Sequence, residues 1–70
     1  MLETFIPKST NLSQVDYDSE TEEMTITFQD GRSWMYSNVP VTIFQGIQHA
    51  PSAGSYFWRQ IRSRYAEIEV

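Results

Sequence analysis

Met24-Thr25-Ile26-Thr27-Phe28 alternates without a break, so Met24, Ile26 and Phe28 face one side of a strand and both threonines the other. Earlier in the chain, Ser9 to Tyr17 suits a strand with Val15 and Tyr17 on one side and Asp16 on the other. Leu12 falls out of phase with that pair and predicts a bulge or a late start. Asp18 to Glu23 is a polar connection too charged to bury. Residues 1–8 read as a loosely ordered entry segment that ends at Pro7. Gln29-Asp30-Gly31 marks a turn, and Arg32 to Tyr36 follows as a third strand. Two registers compete at that turn. A two-residue Asp30-Gly31 turn pairs Phe28 with Ser33 and puts Trp34 and Tyr36 on the threonine face. A three-residue loop with a glycine bulge pairs Ile26 with Trp34 and Met24 with Tyr36. The second register is favoured, because so small a sheet needs both rings inside.

Beyond Val39-Pro40 the period changes. Ile43, Phe44 and Ile47 recur at helical spacing, predicting an amphipathic helix over 40–49 that opens at Pro40. A second helix starts after Ser52, whose hydroxyl suits an N-cap. Gly54, Phe57, Trp58, Ile61 and Tyr65 share its inner face, and Gly54 points to close approach of another backbone. Arg59, Arg62 and Ser63 lie away from that face. Glu67 to Val70 alternates and is read as a short terminal strand. The expected architecture is α+β: a three-stranded antiparallel meander with two short helices packed on one face.

Seventy residues make one domain, spanning 1–70, and the chain has no cysteine to cross-link it or to bind metal as thiolate. Aromatic residues are 14% of the chain, enough to anchor a small core. No apolar run is long enough to cross a membrane and no signal-peptide pattern opens the sequence, so a cytoplasmic location and no membrane partner are expected. The net charge of −4 argues against a generic nucleic-acid binder. Its distribution changes that picture. Residues 1–35 carry two basic and seven acidic side chains, whereas residues 36–70 carry three basic and two acidic ones. One part of the molecule repels phosphate and the other tolerates it.

Enzymatic chemistry finds no footing. His49 is the only histidine and ends a helix, where a protonated imidazole complements the dipole. The acids that a triad would need cluster in the other half of the chain. Asp16, Asp18, Glu20 and Glu22 faintly resemble a calcium loop, but Thr21 stands where the turn-making glycine belongs. They read as a solvated hairpin connection, and neither metal nor cofactor is expected. Trp34, Tyr36, Phe57 and Trp58 are assigned mainly to the core. Tyr56, Arg59 and Arg62 should share an exposed edge, with Tyr36 in support. A π-face beside cations suits an RNA segment or a small nucleotide. The alternative is a protein–protein or self-association surface, for which exposed aromatics with arginine are equally apt anchors.

Tyr17-Asp18, Met24-x-Ile26-x-Phe28, Gly31, Val39-Pro40 and Ala50-Pro51-Ser52-x-Gly54-x-Tyr56-Phe57 with Ile61 together resemble the KTSC domain. That module takes its name from the C-terminus of some lysyl-tRNA synthetases and also occurs as stand-alone bacterial and phage proteins. The resemblance runs from Ser9 to about Tyr65. Where the family has a central Tyr-x-Tyr, this chain has Trp34-Met35-Tyr36, which keeps the aromatic and loses one hydroxyl. Through the synthetase association, the resemblance implies contact with RNA, and it brings no established activity to carry over.

Overall fold

The alternation of Met24, Ile26 and Phe28 sits at the centre of a five-stranded antiparallel sheet in the computed structural model, which describes residues 1–70. The strands are β1 (Leu2–Phe5), β2 (Leu12–Asp18), β3 (Glu23–Phe28), β4 (Ser33–Tyr36) and β5 (Glu67–Glu69), and they lie side by side in chain order. Two helical segments, α1 (Val41–His49) and α2 (Ala53–Tyr56), are inserted between β4 and β5. The sheet therefore has two strands more than the meander expected from the pattern. β5 is the alternating tail. β1 corrects the reading of residues 1–8: Leu2 pairs with Asp18 and Phe5 with Val15. Three of its four side chains are exposed. Backbone pairing makes this edge strand, and no buried face exists to mark it in sequence.

The β3–β4 loop takes the three-residue form. Ile26 pairs with Trp34 and Met24 with Tyr36. Phe28 N–H donates to the Arg32 carbonyl at 2.8 Å, and Gly31 supplies the left-handed backbone, φ +92°, that this loop requires. At Leu12 the β2–β3 register shifts, which brings Leu12 back in phase with Val15 and Tyr17. All three are buried, with Met24, Ile26 and Tyr36 beside them.

Pro40 precedes α1, which lays Phe44 and Ile47 on this sheet face. Tyr17 stacks on Phe44 with ring centroids 5.0 Å apart and donates its hydroxyl to the Val39 carbonyl at 2.6 Å. That bond satisfies the one polar group a buried tyrosine brings with it. Ser52 caps α2 by accepting from Ser55 N–H at 3.2 Å. The helix then widens into a π turn over Phe57–Ile61, closed by Arg62 N–H donating to the Phe57 carbonyl. No helix is long and apolar enough to cross a membrane.

Candidate functional site

The π turn decides which aromatic reaches solvent. Each residue in it turns through less than the roughly 100° of an α-helix, so Ile61 returns beneath Phe57 and both stay buried. Trp58 is left on the flank and is 56% exposed. Its assignment to the core is thereby corrected. Arg62 lays its guanidinium over the indole, 4.2 Å from the ring centroid, a cation–π pair worth about 0.5–1 kcal/mol at an exposed position.

Tyr56 needs the opposite correction. It packs against the core and is half-buried, with its phenol seated on Gly46 of α1 where any Cβ would collide with it. Burial foremost, and Tyr65 after it, pushes the phenol up from its ordinary pKa, while Arg59 opposes the shift. A ring held against a neighbouring helix in this way is not a stacking surface. No sequence signal at Gly46 announced this contact, because a glycine inside a helix gives no direction to its partner.

Two clefts flank Trp58. The larger, about 600 Å³, lies between the segment that enters β2 and the start of α2, and its walls include Lys8, Ser9, Asn11, Ser52, Trp58 and Arg59. No acidic side chain lines it. The smaller, about 210 Å³, is formed by Phe28, Trp34, Tyr36, Trp58, Arg62 and Glu67 among others. Tyr36, 2% exposed, is its floor. Burial first and the neighbouring Glu67 carboxylate second push the Tyr36 phenol well above its ordinary pKa, so it stays protonated. The predicted residues are thus divided. Arg59 stands in one cleft, Arg62 and Tyr36 in the other, Trp58 joins the two, and Tyr56 belongs to neither.

Electrostatics favour the larger cleft for an anion. Arg32 pairs with Glu69, while Lys8, Arg59, Arg62 and Arg64 have no acidic partner. Arg59 Nε donates to the Ser55 carbonyl at 3.3 Å, and Arg64 Nε to the Arg59 carbonyl at 2.9 Å, so the chain's own backbone fixes both side chains. The acids Asp18, Glu20, Glu22 and Glu23 sit around the β2–β3 turn, at the far end of β2 from Ser9 and Asn11. The strand between them is roughly 20 Å long at a rise of about 3.3 Å per residue. That exceeds the Debye length of about 8 Å at physiological salt, so these acids are largely screened from the cleft.

Gly54 forms part of the cleft floor. The expected close approach of another backbone is absent. A Cβ there would meet only the Asn11 amide nitrogen at 3.6 Å and the Ser9 hydroxyl at 3.7 Å, both ordinary contacts.

The fold places the chain among known structures. A KTSC domain protein from Yersinia pestis superposes with a TM-score of 0.90, covering all of this chain and 99% of its own, at 21% identity. In sequence, a lysine–tRNA ligase of Trichormus variabilis is 30% identical over 59 residues, and one of Nostoc punctiforme is 29% identical over the same length. Each alignment covers 84% of this chain but 10% of the ligase, so the chain spans about a tenth of the length of the curated relatives it matches. The KTSC domain model matches residues 8–65, from the first wall of the larger cleft to the turn that follows the helical region. With that match over most of its length, the chain belongs to the KTSC domain family.

Proposed function

We propose that this chain is a non-enzymatic module that binds single-stranded RNA, with Trp58 as the stacking surface and Arg59, Arg62 and Lys8 as its counter-charges. The observation that carries this reading is Trp58 itself: a half-exposed indole, held beneath Arg62 and opening on two clefts. Exposing a tryptophan forgoes its burial, and a base that stacks on it recovers about 1–3 kcal/mol. The named activity of the lysine–tRNA ligases supports the reading, since their matching segment belongs to proteins that handle a tRNA.

The experiment is a fluorescence titration with short single-stranded RNA at low ionic strength. Binding quenches Trp58, and Trp58→Ala removes the response while leaving Trp34 and the fold in place. With three cations neutralising phosphate, the logarithm of affinity falls against the logarithm of salt with a slope of about −2. Absence of quenching at low salt sinks the proposal. A self-associated species in sedimentation, indifferent to RNA and dispersed by Trp58→Ala, transfers the same surface to a protein partner.

A further inference from the structure

We infer that the larger cleft is a phosphate-monoester site, which receives the terminal phosphate of a nucleotide or oligonucleotide whose base lies on Trp58. The inference deepens the RNA reading and rests on it for the base, but its phosphate chemistry stands on different side chains. Ser9 Oγ accepts from the backbone N–H groups of Asn11 and Leu12 at 3.1 and 3.0 Å. Ser52 Oγ accepts from Ser55 N–H at 3.2 Å. Each hydroxyl therefore has its acceptor side engaged by the chain and its own O–H left to donate. The Asn11 side-chain amide adds two more donors from the same wall. Lys8 and Arg59 supply two cations without acidic partners. A donor-rich, acid-free wall inside a chain of net charge −4 is built for an anion.

The choice of monoester follows from charge and space. Two cations match a group that carries about −1.5 to −2 at pH 7, whereas a backbone diester carries one charge. The cleft volume of about 600 Å³ lies within the range of small-molecule sites and exceeds what phosphate alone needs, leaving room for the attached nucleoside toward Trp58. Gly54 is the third argument. Glycine is a poorer helix former than alanine, and the fold does not require one here, since an added Cβ meets nothing closer than 3.6 Å. What glycine leaves open is the floor between Ser9 and Asn11.

The test is a backbone-amide NMR titration of the full chain with AMP and with adenosine, beside fluorescence titration with an oligoribonucleotide lacking terminal phosphates. AMP is expected to move the amides of Asn11, Gly54 and Ser55 and to bind about tenfold more tightly than adenosine, reflecting charge-assisted hydrogen bonds. Its affinity rises as pH is raised through about 6, where the second phosphate proton leaves. Gly54→Ala keeps or raises the melting temperature and loses the preference for AMP, and Lys8→Gln or Arg59→Gln each weakens AMP by about tenfold. Equal binding of AMP and adenosine, or unmoved Asn11 and Gly54 amides, overturns the phosphate site. If the unphosphorylated RNA still quenches Trp58, the RNA reading survives that failure. If AMP binds the cleft and the RNA does not bind, the phosphate site stands and the RNA reading falls.

Discussion

Gly46 and Tyr56 allow a prediction whose sign depends on a single partner. Replacing Gly46 by alanine in the middle of α1 gains about 0.8–1 kcal/mol of helix propensity. The new Cβ, however, occupies the space of the Tyr56 phenol. Tyr56 has two side-chain torsions and is carried on a helix fixed by the buried Phe57, so the ring must swing off α1 rather than yield by a few tenths of an ångström. Full burial of a large side chain is worth about 1.5–3 kcal/mol, and losing the half that Tyr56 has costs about 1–1.5. Because the ring swings clear, overpacking strain at the remaining contact adds only the low end of its usual range, about 1 kcal/mol. The net effect is a destabilisation of about 1–2 kcal/mol, or roughly 5–15 °C in melting temperature for a chain of this size. In a Tyr56→Ala background the obstacle is gone, and the same Gly46→Ala change becomes stabilising by nearly its full propensity. Urea unfolding of the wild type, both single variants and the double variant, followed by far-ultraviolet circular dichroism, yields the cycle. A coupling of about 2–3 kcal/mol is well above the 0.3–0.5 kcal/mol scatter of independent sites. If Gly46→Ala has the same sign in both backgrounds, the contact is not what positions Tyr56.

Tyr17→Phe keeps the stack on Phe44 but strands the Val39 carbonyl in the core, and chemical denaturation should register a loss of about 1–3 kcal/mol. Alkaline titration tests the buried phenols. Burial raises Tyr17, Tyr36 and Tyr56 above their ordinary value, helped at Tyr17 by Glu22 and Asp18 and at Tyr36 by Glu67. The folded state thus holds these protons more tightly than the unfolded chain. The stability linked to them is complete below about pH 10 and drains away as pH rises from there toward the folded values. Absorbance at 295 nm should show these rings ionising late or together with unfolding; early, independent ionisation of all the tyrosines would contradict their burial.

The strands that bury side chains were legible because alternation is a local property: Met24, Ile26 and Phe28 announce their face, and Gly31 chooses between two registers once the rings are required inside. The cap at Ser52 is similarly local. β1 was not legible, since an edge strand held by backbone bonds leaves Leu2, Glu3 and Thr4 exposed and without a pattern. The site fell between these cases. Arg59 and Arg62 could be read as exposed, but the aromatic between them could not. One widened turn at Phe57–Ile61, stabilised by packing against Phe28 and Tyr36, exchanges the roles of Tyr56 and Trp58. Cation exposure is visible in sequence; the choice of stacking ring is a tertiary decision.

That turn has a consequence for how such a surface can be gained or lost. A π turn is an α-helix with one residue too many, and the surplus is absorbed between two buried anchors, Phe57 and Ile61. Deleting Trp58 itself would leave the two anchors three residues apart, a spacing that an ordinary α-helix also places on one face. The domain could then surrender its exposed indole in one genetic step without redesigning its interior.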